Sequence, residues 1–410
     1  MSSSFAALGV PADLVERLAR RGITDPFPIQ AATLPDALAG RDVSGRAPTG
    51  SGKTLAFGIP LVNRVERARP RRPRGLVLVP TRELAAQVHA ELVALAGPKG
   101  PSALAVYGGV GFEKQVSALR RGVDVVVACP GRLADLLSQR QLTLEDVGFV
   151  VIDEADRMAD MGFLPEVRRL LDQVRSDRQT LLFSATLDGD VDVLVRRYQR
   201  SLVRHELAAE EGAAQSRHVF WRAERAERLA LVADLVGKEW PAIVFCRTRH
   251  GADRLTRQLA KAGVSAAAIH GDRSQGQRER ALAGLVSGKV QALVATDVAA
   301  RGIHVDDVAC VVHFDPPGDD KAYVHRSGRT GRAGAAGLVV SLVDPAQEAE
   351  ARKLQRALGL PAGFDDRGSA GTTPRRTAAP ASTPAPSADR PPRRRRRRGG
   401  GTRGRTPARR

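Results

Sequence analysis

The chain has 410 residues, 42% of them apolar, enough for the cores of two or three ordinary globular domains. Lys and Arg outnumber Asp and Glu by 64 to 45, a formal charge of +19, and fourteen of the arginines fall in residues 367–410 beside a single acid, Asp389. No apolar run approaches the ~18–20 residues of a membrane span, the N-terminal residues lack a signal-peptide pattern, and Cys129, Cys246 and Cys310 are too scattered for a disulfide framework or zinc site. The expectation is a soluble protein of a reducing cytoplasm with a polyanionic partner.

In chain order, PADLVERLARRG (11–22) reads as a helix, opened by Pro and closed by Gly. The short run Asp42–Ser44 precedes Ala47-Pro-Thr-Gly-Ser-Gly-Lys-Thr54, a phosphate-binding loop pattern. Short apolar runs follow at 75–80, 103–108, 124–129, 149–154 and 180–185, then at 242–247, 266–271, 292–297, 310–315 and 337–343. Amphipathic segments separate them, among them the helix-like 249–263. Such spacing predicts an α/β fold with parallel sheets covered on both faces. A polar stretch without long apolar runs predicts a linker at 206–216, dividing a domain at 1–205 from one at 217–364. Residues 365–410 hold six consecutive arginines at 393–398, seven prolines, and no aliphatic or aromatic core residue past Phe364. They are expected to be disordered, because they bury too little apolar surface to offset the entropy of ordering.

Chemistry concentrates in three places. In the loop, Thr49, Gly50, Ser51 and Gly52 allow backbone N–H groups to approach phosphate oxygens. Lys53 reaches the β/γ-phosphates and Thr54 offers a hydroxyl to Mg²⁺. At the end of the run 149–154 stand Asp153 and Glu154, adjacent carboxylates that are costly there unless their charge is used. Beside a phosphate loop, Asp153 is assigned to the metal and Glu154 to the attacking water. In His325-Arg-Ser-Gly-Arg-Thr-Gly-Arg332, Arg329 and Arg332 are spaced three apart. Opposite a γ-phosphate they would act as arginine fingers, completing a site split between two domains.

These motifs, in this order, resemble the DEAD-box RNA helicases. DEAD is literal at 153–156, joined by PTRELAAQ (80–87), Gly108-Gly109, PGR (130–132), SAT (184–186), VFCRT (244–248), HGDRSQGQRER (270–280), ATDVAARG (295–302) and HRSGRTGR (325–332). The resemblance covers about residues 5–345 and implies two tandem RecA-like domains that close on ATP and one RNA strand. It implies that Gln30 reads adenine, with Phe5, Ile23, Gly302 and His304 also at the nucleotide. Asp156, Ser184, Thr186 and His325 would couple hydrolysis to strand separation. RNA contacts would come from Pro80, Thr81, Arg82, Gly109, Pro130, Gly131 and Arg132, and from Arg273, Gln277, Arg280, Thr296 and Arg301 in the second domain. Three positions depart from the pattern: Ile23 replaces an adenine-stacking aromatic, Phe27 a hydroxyl residue, and His304 a ribose-binding acid.

The implied activity is ATP hydrolysis with Mg²⁺, stimulated by RNA and coupled to local, sequence-independent duplex separation. An ATP-gated RNA clamp or assembly scaffold is the alternative. The protein is expected to act as a monomer, with ribosome-assembly or RNA-decay factors as further partners. Arginines of the tail add a non-specific RNA tether by counterion release, without base stacking, since the tail has no aromatics.

Overall fold

The computed structural model describes residues 4–47, 51–207, 216–297, 308–331 and 337–365. Seven strands form the first sheet: β1 Val43–Arg46, β2 Gly75–Leu78, β3 Ala103–Val106, β4 Val125–Ala128, β5 Phe149–Asp153, β6 Gln179–Ser184 and β7 Val203–Glu206. Their order is β3-β4-β2-β5-β6-β1-β7, and every pairing is parallel. Six form the second: β8 Arg217–Arg222, β9 Ala242–Phe245, β10 Ala266–Ile269, β11 Ala292–Ala295, β12 Cys310–His313 and β13 Leu338–Val343. These run β10-β11-β9-β12-β13-β8, again parallel throughout.

The apolar runs are unbroken because both faces of each sheet are buried. Successive side chains of a strand point to opposite faces. Leu76, Leu78, Val126, Val150 and Ile152 therefore join one core, while Val77, Val125, Val127 and Val151 join the other. In the second sheet Ala242 and Val244 face one side and Ile243 and Phe245 the other. All ten apolar runs read from the sequence contain strands. Strands β7 and β8 carry no such run: β7 alternates half-buried with exposed residues and β8 starts polar, as edge positions allow. The last residue of β7, Glu206, is also the first of the segment expected to be linker.

A polar cluster lies inside the second domain. His313 is fully buried at the end of β12. Its Nδ1 lies 3.0 Å from Ser341 Oγ, and its ring meets Tyr323 edge-on at 4.8 Å. The Tyr323 hydroxyl sits 2.8 Å from His218 Nδ1, and its ring stacks on Phe220. Tyr323 belongs to the helix Asp320–Ser327, so the cluster anchors that helix to three strands. Burial pushes both imidazoles below the ordinary histidine pKa, His313 well below, with the positive Arg326 adding to the effect there.

Both histidines are therefore neutral in the fold but take up protons below about pH 6.5 once unfolded. The unfolded state binds more protons, so stability present above pH 6.5 falls as pH drops through that value. The expected loss approaches about 1.4 kcal/mol per pH unit for His313, and His218 adds to it in the same direction. Thermal melting from pH 7.5 to 5 should show this slope, and a His218→Asn/His313→Asn variant should flatten it.

Candidate nucleotide and nucleic-acid site

The phosphate loop follows β1, the carboxylates end β5, and Ser184 ends β6. These three strands are neighbours, in the order β5-β6-β1. Parallel pairing aligns their carboxyl ends, where α/β sheets bind ligands. Ala47 N donates to Ser184 O at 3.1 Å, fastening the loop to β6. Gly52 then turns through φ +84° and the helix Lys53–Arg64 begins, its N-terminal amides facing the loop. Lys53 is only 7% exposed, and its Nζ donates to Ala47 O at 2.9 Å. A backbone carbonyl is a neutral acceptor and leaves two N–H groups for phosphate. Thr54 is half-buried in the first helical turn, and Ser51 half-buried before it. Thr49 and Gly50 lie outside the described residues.

Asp153 and Glu154 are 3% and 5% exposed. Glu154 adopts φ 53°, ψ 50°, a left-handed conformation costing a non-glycine residue roughly 1–2 kcal/mol. Its N–H donates to Asp153 Oδ1 at 3.0 Å, and its Oε2 accepts from Arg157 Nη1 at 2.9 Å. The sequence reading did not single out Arg157, whose i,i+3 spacing on the short helix Ala155–Asp160 was its only signal. Asp156 N donates to Ser184 Oγ at 3.1 Å, while Asp156 Oδ2 accepts from Ala185 N at 3.2 Å. Two of the four expected coupling residues are thus bonded to each other. Thr186 is exposed beside them. His325, from the second domain, lies 3.9 Å from Asp160.

Gln30 is fully buried. Its Oε1 accepts from Phe27 N and its Nε2 donates to Gly52 O, both at 2.9 Å. The amide therefore ties its own helix start to the phosphate loop and keeps one N–H and one lone pair for an adenine edge. A Cβ on Gly52 would run into Gln30 Nε2 and lie 2.6 Å from Phe27 Cδ2. Phe27, 54% exposed, thus lays its ring against the loop, whereas Ile23 packs half-buried on the core. Phe5, expected at the nucleotide, is 2% exposed within the first core cluster and serves packing there. Gly302, His304, Arg301 and Arg332 lie outside the described residues.

On the first domain the expected RNA residues converge. Thr81 caps the helix Arg82–Ala96, its Oγ1 accepting from Leu84 N. A Cβ on Gly109, at φ +85°, would collide with the Arg82 guanidinium, and one on Gly108 would lie 3.3 Å from it and 3.8 Å from Arg132 Nη2. At Gly109 the left-handed φ favours glycine, and the missing Cβ leaves room for the Arg82 guanidinium over the turn. Pro130 starts the helix Pro130–Ser138 and is buried; Gly131 beside it is exposed.

In the second domain Thr296 is buried after β11. Arg273 is paired with Asp253. Gln277 accepts from Ser274 N at 2.9 Å in a capping box, and Arg280 Nε donates to Gly276 O at 3.1 Å. One polar atom of each of these last two expected RNA contacts, Gln277 Oε1 and Arg280 Nε, is thus engaged at the start of the helix Gln275–Val286. The neighbour that faces the first domain is Arg278. Its Nε lies 3.0 Å from Glu83 Oε1, and both side chains are almost fully buried. Neither atom has an aligned hydrogen bond, so the contact is ionic. Burial lowers the pKa of Arg278 and Glu83 opposes that shift. Nothing in the local sequence marks this pair, because its members are 195 positions apart and meet only when the domains touch.

Arg329 is 7% exposed just past the helix Asp320–Ser327. Arg326 in that helix clasps Asp297 through Nε and Nη2 at 2.5 and 2.7 Å, donates to Asp315 O, and lies 5.1 Å over Phe245. It connects the ends of β9, β11 and β12 to the arginine motif.

Breaking the Glu83–Arg278 pair from one side leaves an uncompensated buried charge, worth about 3–5 kcal/mol. Arg278→Ala should therefore depress melting temperature and RNA-stimulated ATPase more than the double variant Glu83→Gln/Arg278→Gln does. A double-mutant cycle on both readouts checks this.

The family model DEAD/DEAH box helicase matches residues 27–194, and Helicase conserved C-terminal domain matches 225–334. The chain is 43% identical over 369 residues to the chloroplastic DEAD-box ATP-dependent RNA helicase 3A of Zea mays, covering 87% of this chain and 49% of that protein. It is 38% identical over 360 residues to the DEAD-box ATP-dependent RNA helicase CshA of Bacillus subtilis, covering 87% and 72%. Among solved structures, S. cerevisiae Dbp5 bound to RNA and ADP BeF3 matches with TM-score 0.77 at 27% identity, covering 88% of this chain and 95% of that one. A DEAD box protein from Methanococcus jannaschii matches with TM-score 0.52 at 33% identity, covering 88% and 99%. The chain spans about half the length of the maize relative. With its tandem RecA-like domains, it belongs to the DEAD-box ATP-dependent RNA helicase family.

Proposed function

We propose that this chain hydrolyses ATP in response to RNA and uses the cycle to separate short RNA duplexes. The observation that carries the proposal is the convergence of Lys53, Asp153, Glu154 and Ser184 at the aligned ends of β1, β5 and β6. The working unit is two domains, 1–205 and 217–364, joined by 206–216. ATP is the substrate, bound with its phosphates along 49–54 and its adenine at Gln30.

Mg²⁺ suits this donor set. Among the described residues no group of three metal-ligating side chains occurs, and Mg²⁺ characteristically takes one or two carboxylates plus substrate phosphates. Asp153 and Thr54 would hold it, and when bound it neutralises charge on the phosphates. Glu154 accepts a proton from the attacking water, held in place by Arg157. Lys53 binds the β/γ-phosphates, while Arg329 and Arg332 stabilise charge building on the transferred group. Ser184 and Asp156 pass the change at β6 to the RNA surface formed by Arg82, Gly109 and Arg132.

Contacts to phosphates and sugars rather than base edges make recognition sequence-tolerant. The second domain contributes Thr296 and Arg273, and Glu83–Arg278 holds it against the first. We also propose a reducing compartment: all three cysteines are free, and burial pushes the Cys129 and Cys246 thiols up to about 12. No helix among the described residues is long and apolar enough to cross a membrane.

Glu154→Gln should lower RNA-stimulated turnover by about 10²–10⁴ while ATP binding persists, because only water activation is lost. Lys53→Ala should instead weaken ATP binding itself. Steady-state ATPase assays alongside nucleotide titration check both, and wild-type turnover in Glu154→Gln overturns the assignment. Deleting residues 366–410 should flatten the salt dependence of RNA affinity yet leave the maximal ATPase rate at saturating RNA largely intact. Binding isotherms from low to moderate salt test this.

A further inference from the structure

A groove leads away from Thr296 across the second domain and becomes basic beyond Thr248. It consists of three neighbouring cavities. One of about 450 Å³ reaches from Thr296 and Gly271 to Thr248 and His250. The next, also about 450 Å³, shares Thr248 and His250 and adds Arg225, Arg254 and Arg257. The third, about 410 Å³, shares Arg225 and Arg254 and continues to Gln258 and Phe314.

The carboxylates lining this groove, Asp297 with its partner Arg326 among them, are already engaged. Asp253 holds His270 and Arg273, and Asp272 holds Arg249. Asp315 accepts from Arg247 N at 2.8 Å, and Asp344 from Ala346 N at 3.1 Å. Arg225, Arg254 and Arg257 are exposed and form no ion pair among the described residues. Their charges act on their surroundings: Arg225 lowers the pKa of the buried Arg228, and Arg254 opposes the upward shift of Cys246. His250, Arg254 and Arg257 recur at helical spacing along one face of Arg249–Lys261, whose first turn faces the groove. That turn adds amide donors and the positive end of the helix dipole. Like charges held together without partners repel one another, and an arriving polyanion reverses the sign of that energy.

The groove is open and elongated, and Phe314, half-buried, is the aromatic residue among its lining side chains. This suits a phosphodiester chain better than a stacked mononucleotide. We propose that the groove carries backbone phosphates of the RNA strand beyond the Thr296 position, with Arg225, Arg254 and Arg257 as the contacts. The proposal rests on the RNA-dependent function above and extends the strand's path past the residues that function needs.

The test uses the full chain, with oligouridine probes of two lengths: one just long enough to stimulate ATP hydrolysis, one several times longer. In the triple variant Arg225→Ala/Arg254→Ala/Arg257→Ala, affinity for the long probe should fall at least tenfold at moderate salt. Its log affinity against log salt slope should drop by about 2, since each single-strand phosphate contact contributes about 0.7. Affinity for the short probe, and its maximal ATPase rate, should stay unchanged. The corresponding triple lysine variant should keep the wild-type slope, because the charge is retained. Unchanged long-probe affinity and slope in the alanine variant, with wild type still stimulated by RNA, overturns the groove alone. If that variant instead loses binding to polyglutamate while keeping its RNA slope, the groove belongs to an acidic polypeptide and the proposal falls. A wild-type chain neither bound nor stimulated by RNA fails the functional reading and the groove with it.

Discussion

In a parallel sheet every strand delivers its carboxyl end to the same edge, and the chemistry of this protein depends on that constraint. The phosphate loop, the acidic pair and Ser184 come from positions 47–54, 153–154 and 184, far apart in the chain. The order β5-β6-β1 makes them neighbours. Parallel pairing needs crossover helices on the faces, and these bury both sides of the sheet. The same arrangement thus produces the apolar strands, the two cores of the first domain and a polar edge where backbone groups remain available. Gln30 exploits that edge: a fully buried amide spends one donor and one acceptor on backbone, joining the start of Pro28–Leu38 to Gly52.

The two domains meet through charge rather than apolar surface at Glu83 and Arg278. A buried pair of this kind is weak evidence for stability, because desolvation offsets much of the Coulomb gain. Its value lies in geometry. Glu83 sits in the first turn of Arg82–Ala96, next to Arg82, and Arg278 sits in the helix that follows Arg273. The contact between domains is therefore built from the same two helix starts that carry expected RNA contacts.

Within the second domain, the helix bearing His325 and Arg326 is held on two sides. Tyr323 reaches into the sheet to His218 and His313, while Arg326 spans Asp297, Asp315 and Phe245. A cation fully committed to a bidentate carboxylate and an aromatic face is a poor candidate for a moving part. Arg326 reads as a fixed support for its helix.

Fold class was legible in the sequence, and so was the position of the phosphate-loop pattern between β1 and the helix Lys53–Arg64. Apolar runs of strand length survive only where both faces are covered, and a glycine-rich loop ending in Lys-Thr serves few purposes besides phosphate. Edge strand β7 was not legible, since a half-exposed strand needs no apolar run, and in β8 the buried apolar stretch is only Val219–Trp221. The tertiary structure alone decided the long-range pairs: Glu83 with Arg278, Arg326 with Asp297, and the buried imidazoles around Tyr323. It also placed Phe5 in the core. The physical reason is common to all of these. Local pattern records which residues seek burial or a turn, but a polar side chain's partner is whatever the packed chain brings within three ångströms, and that depends on the path of the whole backbone.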